Sequence, residues 1–120
     1  MKLYHYAGCS TCKKARKWLD AAGISYEAIP IVDKPPSKTH LKRLWKRSGL
    51  PLKRFFNTSG KSYREGGFGE RLKTMSEDEA LAALAADGKL IKRPLIDAPD
   101  HVLVGFKEVE YEEAFARISN

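Results

Sequence analysis

The chain has 120 residues, of which 42% are hydrophobic and 31% charged, so we expect a soluble globular protein and exclude a disordered chain. No stretch approaches the roughly 18 apolar residues of a membrane span, and residues 1–6 lack the apolar core of a signal peptide. We therefore expect a cytoplasmic protein without membrane contact. The net charge of +7 does not by itself predict nucleic-acid binding, because bases and acids interleave after residue 65.

The first third of the sequence predicts a β-α-β unit. Residues 2–7 alternate as a short strand that leads into a turn. Ser10 or Thr11 is the predicted cap of a helix that stops at Gly23, and its apolar residues at helical spacing predict a buried stripe of Ala15, Trp18, Leu19 and Ala22. Residues 24–32 alternate as a second strand, and the intervening helix favours a parallel, right-handed connection.

The middle of the chain, about residues 37–88, predicts a helical insertion. Ser37 begins one helix, and Ser76 with Glu79 forms a capping box at the start of another. The glycine-rich segment 66–69 follows no predicted strand and precedes no Gly-Lys-Ser/Thr sequence. We therefore interpret it as a turn and not as a phosphate-binding loop.

The last third predicts a β-hairpin followed by a helix. Residues 94–97 and 102–104 are the two strands. The final helix carries apolar residues at helical spacing, namely Tyr111, Ala114, Phe115 and Ile118. This order of elements predicts an α/β, thioredoxin-like fold in a single domain over residues 1–120. It has a mixed four-stranded sheet, with the helical insertion between the second and third strands.

Two cysteines, Cys9 and Cys12, lie where the first strand gives way to the first helix. A disulfide that closes so short a loop stabilises a fold little, and the scattered histidines do not complete a four-ligand zinc site. A helix N-terminus stabilises a thiolate, so Cys9 is the predicted attacking cysteine and Cys12, in the first turn, the predicted resolving cysteine. The pair thus predicts thiol–disulfide exchange, with no metal and no cofactor.

Four segments, in order along the chain, resemble one protein family. They are YHYAGCSTCKKA at 4–15, FNTSGKSYRE at 56–65, KRPLI at 92–96 and VGFK at 104–107. On these segments the chain resembles the arsenate-reductase-like (ArsC) family, including its Spx and MgsR branch. The resemblance covers nearly the whole chain and implies a thioredoxin-like domain with a helical insertion.

The resemblance also implies roles for individual residues. Cys9 matches the cysteine that attacks arsenate in the true reductases, and Arg93, before Pro94, matches an oxyanion-binding arginine. Asn57 stands where those enzymes place another arginine of the site, and Gly105 falls about where a further one is expected. Because two guanidinium groups are missing, the arsenate interpretation is weakened. The predicted substrate-binding residues are Arg93, Pro94 and Asn57, and the Arg93–Pro94 peptide bond is predicted to be cis and to face the Cys9 turn.

Three functions stay open, in this order of preference. The first is a thiol–disulfide oxidoreductase whose partner is a thiol or disulfide protein, glutathione or glutaredoxin. The second is an Spx-like redox-sensing regulator, which the resemblance implies would bind the C-terminal domain of the RNA polymerase α subunit. The third is an arsenate reductase that depends on glutathione and glutaredoxin. In each case we expect a monomer without direct nucleic-acid contacts.

Overall fold

The computed structural model divides the described chain, residues 1–116, into two compact units. The first unit comprises Met1–Pro30 and the described residues from Arg93 onward, and the second comprises Ile31–Lys92. Ile118 of the predicted final helix lies outside the described residues. Within the described part, no helix is both long enough and apolar enough to cross a membrane. We propose that both units belong to one domain, in which residues of about 37–88 form a helical insertion.

The first unit is built on a mixed four-stranded sheet. Its strands are β1 (Lys2–His5), β2 (Glu27–Pro30), β3 (Leu95–Asp97) and β4 (Val102–Val104). The strand order is β2-β1-β3-β4, with β1 parallel to β2 and antiparallel to β3, and β3 antiparallel to β4. The predicted β-α-β opening, the C-terminal hairpin and the mixed four-stranded sheet are therefore confirmed.

Six α-helices lie in the described residues, the first and last in the first unit and the other four in the second. They are α1 (Ser10–Ala21), α2 (Lys38–Ser48), α3 (Lys61–Glu65), α4 (Phe68–Arg71), α5 (Glu77–Ala86) and α6 (Glu108–Phe115). Two short 3-10 turns, Leu52–Phe55 and Gly88–Leu90, complete the second unit.

The core of the first unit joins α1 and α6 to the sheet. It consists of buried side chains from both helices, from β1 and from β3 with the residue that follows it, namely Leu3, Ala15, Leu19, Ile96, Ala98, Tyr111 and Phe115. Trp18 is half-buried, and its ring meets that of Tyr111 edge-on at 5.6 Å. The predicted burial of Ala22 is wrong, because this residue is the C-cap of α1 and is exposed.

The second unit is helical, as predicted between β2 and β3. The Ser37 hydroxyl caps α2, and Ser76 and Glu79 form the reciprocal capping box at the start of α5. These two helices bury leucines at helical spacing, namely Leu41, Leu44, Leu81 and Leu84. The interpretation of 66–69 as one turn is partly wrong: Gly67, at φ +67°, separates α3 from α4, and the segment then continues as the start of α4.

The strands are shorter than their alternation predicts. β1 ends at His5, and β2 does not occupy the whole of residues 24–32. The Ile24 N–H still donates to the Leu19 carbonyl of α1, at 3.0 Å, so the chain has not yet left the helix end. The pairing with β1 begins at Glu27, whose N–H donates to the carbonyl of Met1, the residue before β1, at 2.9 Å. Pairing, and not the apolar pattern, therefore sets the length of β2.

Candidate redox site

Cys9 is the N-cap of α1, and the prediction that Ser10 or Thr11 caps this helix is wrong. The Cys9 backbone is extended (φ −94°, ψ 113°), and its Sγ accepts a hydrogen bond from the Cys12 backbone N–H at 3.2 Å. The preceding turn explains the shift: the Cys9 N–H donates to the Tyr6 carbonyl at 3.0 Å, so the chain has already turned when α1 begins. The half-buried sulfur therefore lies where a helix N-terminus stabilises negative charge.

Cys12 is the protected member of the pair. Its side chain is 1% exposed, and its pKa is raised to about 12. Burial is the largest cause, and Cys9 adds to it both as a hydrogen-bond partner and as a nearby charge. A hydrogen bond with the Tyr6 backbone and the positive charge of Arg93 oppose these effects. Cys12 is therefore a neutral thiol near pH 7 in the reduced protein.

Arg93 lies against the loop that carries the cysteines. The Arg93–Pro94 peptide bond is cis, which confirms the prediction. In the antiparallel pairing of β1 with β3, Tyr4 lies opposite Leu95, so Tyr6, just after β1, and Arg93, two residues before Leu95, lie at the same end of the two strands. The guanidinium carbon lies 4.7 Å from the centroid of the Tyr6 ring. Arg93 thus reaches the turn that ends at Cys9, and its charge acts on the Cys12 thiol.

Asn57 is the predicted site residue that belongs to the second unit. Its N–H donates to the Leu90 carbonyl at 2.8 Å, and its carbonyl accepts the Gly60 N–H at 3.0 Å. These two bonds fix the backbone of Asn57 within the turn that leads to Gly60. The assignment of Asn57 to substrate binding stays a prediction.

Gly105 lies in the first unit at the end of β4. Its φ is +79°. Glycine adopts this backbone conformation readily, whereas it is strained for residues that carry a side chain. Its N–H donates to the Pro94 carbonyl at 2.8 Å. An arginine at this position would therefore require a different turn beside Pro94.

Two tyrosines at the site were not predicted to belong to it. The Tyr111 hydroxyl donates to the Gly105 carbonyl at 2.9 Å, a buried bond that ties α6 to the turn held by Pro94. Burial, with a smaller effect of Cys12, raises the pKa of Tyr111. Helical spacing correctly indicates that this residue is in the core, but no sequence signal gives its hydroxyl partner. Tyr6 follows β1, and its contact with Arg93 requires the register of a strand about 90 residues away.

Comparisons with known proteins relate nearly the whole chain to one family. The model of the ArsC family matches residues 4–114. YusI of Bacillus subtilis, described as an uncharacterized protein, is 53% identical over 116 residues, which cover 97% of this chain and 98% of YusI. The crystal structure of an ArsC family related protein from Bacteroides fragilis shares 48% identity with a TM-score of 0.91, covering 93% of this chain and 94% of that one.

Relatives with named functions are more distant. An arsenate reductase from Neisseria meningitidis is 28% identical over 106 residues, which cover 88% of this chain and 89% of the reductase. The global transcriptional regulator Spx 1 from Lactococcus lactis is 23% identical over 108 residues, which cover 90% of this chain and 83% of Spx 1. The resemblance drawn from the four segments and the thioredoxin-like fold are thereby confirmed. The chain belongs to the ArsC family.

Proposed function

We propose that the chain is a cytoplasmic thiol–disulfide redox protein in which Cys9 attacks and Cys12 resolves. One observation carries the proposal: the Cys12 N–H donates to Cys9 Sγ at 3.2 Å. This bond places the half-buried sulfur of Cys9 at the start of α1 and the buried sulfur of Cys12 one turn into the helix. The two positions suit an accessible nucleophile and a resolving thiol that solvent does not reach.

The first step is attack by the Cys9 thiolate on a disulfide of the partner. A bond forms between Cys9 Sγ and one partner sulfur while the partner's own S–S bond breaks. The other partner sulfur leaves as a thiolate and takes a proton from water. Cys9 Sγ attacks from the N-terminus of α1, where the Cys12 backbone N–H points at this sulfur.

The second step depends on a change in the surroundings of Cys12. Once Cys9 is in a mixed disulfide, its negative charge is gone and its sulfur no longer holds the Cys12 proton, so two causes of the raised pKa of Cys12 are removed. Burial, the largest cause, persists, and the charge of Arg93 continues to favour the Cys12 thiolate. Cys12 therefore loses its proton more readily after the first step than before it.

Attack of the Cys12 thiolate on Cys9 Sγ then forms the internal disulfide and releases the partner's sulfur, which takes a proton. The partner's disulfide gains two electrons and two protons, and the cysteine pair loses them. A thiol protein, or glutathione with glutaredoxin, would return the pair to its reduced form.

A second candidate function is a redox-sensing regulator that binds the RNA polymerase α subunit. The similarity to Spx 1 favours it, and the same internal disulfide would be its signal. Arsenate reduction ranks third. The similarity to an arsenate reductase and the place of Arg93 favour it, whereas the φ of +79° at Gly105 would be strained for an arginine at that position.

Glutathione disulfide tests the proposed function directly. We expect Cys12→Ser protein to accumulate a stable mixed disulfide on Cys9, whereas the wild-type protein proceeds to the internal disulfide and Cys9→Ser accumulates neither. Intact-mass spectrometry under non-reducing conditions follows all three. Absence of a mixed disulfide in Cys12→Ser would contradict the assigned roles.

Capture from a cell lysate separates the first two candidate functions. Immobilised Cys12→Ser protein that retains several proteins until a reductant is added supports the oxidoreductase. Polymerase that binds equally to a Cys9→Ser matrix, and that a reductant does not elute, supports the regulator.

A further inference from the structure

We propose that Tyr6 is a positioning residue whose ring holds the Arg93 guanidinium beside the cysteine loop, so that the pair prefers anionic over neutral reaction partners. The inference rests on the proposed function in one respect, that Cys9 is the reactive thiol. The reaction partners that this site favours carry a carboxylate or another anionic group close to the reacting atom.

The register of the sheet brings the two side chains together. Tyr6 follows β1 and Arg93 shortly precedes β3, so the two residues lie at the same end of this antiparallel strand pair. The guanidinium carbon is 4.7 Å from the ring centroid, within the range of a cation–π contact. Arginine is suited to this contact because its planar guanidinium stacks on aromatic faces.

The backbone of Tyr6 belongs to the turn that sets the cysteines. Its carbonyl accepts the Cys9 N–H at 3.0 Å, and its backbone is also hydrogen-bonded to the Cys12 side chain. The ring lies over Gly8, where an added Cβ would come within 3.2 Å of it. The ring is therefore held by the same turn that places Cys9 at the start of α1.

The contact has an electrostatic consequence for the site. An arginine side chain without a fixed neighbour samples many rotamers, which spreads its charge into solvent where salt screens it. The contact with Tyr6 restricts these rotamers, and the charge of the guanidinium acts on the Cys12 thiol. A charge fixed beside a nucleophile raises the local concentration of anionic partners.

Two alkylating reagents that differ in charge test the proposal, with Cys12→Ser as the background so that Cys9 is the single thiol. With iodoacetate or iodoacetamide, Cys9 Sγ forms a bond to carbon, the carbon–iodine bond breaks and iodide leaves. Dividing the iodoacetate rate by the iodoacetamide rate cancels changes in the thiolate fraction. We expect Tyr6→Leu to lower this ratio about two- to five-fold at low ionic strength, and Tyr6→Phe to keep it.

Arg93→Gln supplies the matched control. It should lower the ratio at least as far as Tyr6→Leu does, and adding Tyr6→Leu to it should cause no further fall. A wild-type ratio in Tyr6→Leu would overturn the proposal, as would an equal fall in the presence and absence of Arg93. Tyr6→Met, measured in parallel, provides a second variant without an aromatic face in case Tyr6→Leu does not fold.

The result is separable from the fate of the proposed function. Both reagents alkylate Cys9 whether or not the pair exchanges disulfides. If Tyr6→Leu leaves the ratio of the iodoacetate rate to the iodoacetamide rate unchanged, only the positioning role of Tyr6 is contradicted. If Cys12→Ser forms no mixed disulfide with glutathione, only the redox function is contradicted.

Discussion

Limited alkylation of the reduced wild-type protein tests whether Cys12 is the protected thiol. With a pKa of about 12, only about one Cys12 in 30,000 is ionised at pH 7.5. A cysteine at the ordinary value of 9.0 is ionised in about one molecule in 30, so the thiolate deficit is about 1,000-fold. A more basic thiolate is intrinsically more nucleophilic, which recovers about 20-fold of this. Cys12 should therefore react about 50-fold more slowly than an ordinary exposed thiol, and its burial slows it further.

The assay uses less than one equivalent of iodoacetamide at pH 7.5. Both cysteines fall in the tryptic peptide spanning residues 3–13, so fragment-ion spectra of the singly labelled peptide assign the label. We expect nearly all of it on Cys9, and about equal labelling of both cysteines in urea, where the burial is lost. Equal labelling in the folded protein would refute the assignment of Cys12 as the buried, resolving thiol.

Three further predictions concern substrate and stability. With Asn57 and Gly105 at the positions of two expected arginines, arsenate turnover with glutathione and glutaredoxin should be weak or absent; robust turnover that Cys9→Ser abolishes would reverse the order of the candidate functions. Tyr111→Phe should lower the free energy of unfolding by about 1 to 2 kcal/mol in urea titrations, because the Gly105 carbonyl loses its buried donor; an unchanged midpoint would contradict this. Ser76→Ala should cost about 1 kcal/mol in the same titrations through loss of the α5 cap, whereas Ser76→Asp, which can still cap, should cost less.

The elements that the sequence predicts well are those with local signals. The Ser76 capping box and the Ser37 cap depend on residues within one helical turn, so the sequence contains all of their partners. The paired cysteines between a strand and a helix are likewise a local pattern. The cis bond before Pro94 was predicted by analogy with thioredoxin-like folds and not from its neighbours.

The features that sequence patterns predicted poorly depend on contacts between distant segments. Ser10 and Thr11 are better N-cap types than cysteine, yet the tight turn between Tyr6 and Cys9 decides where α1 begins. The contact of Tyr6 with Arg93 requires the pairing of β1 with β3 to be known first. Side-chain alternation shows that a strand is present but does not name its neighbour.

Oxidation of dilute reduced protein with diamide shows whether Cys9 and Cys12 form an internal disulfide. We expect a monomer that has lost two hydrogens and both free thiols, with a Cys9–Cys12 disulfide located by fragmentation of the unreduced peptide, and no such product from Cys12→Ser. A wild-type protein that keeps its two thiols, or that forms mainly disulfide-linked dimers, would contradict it.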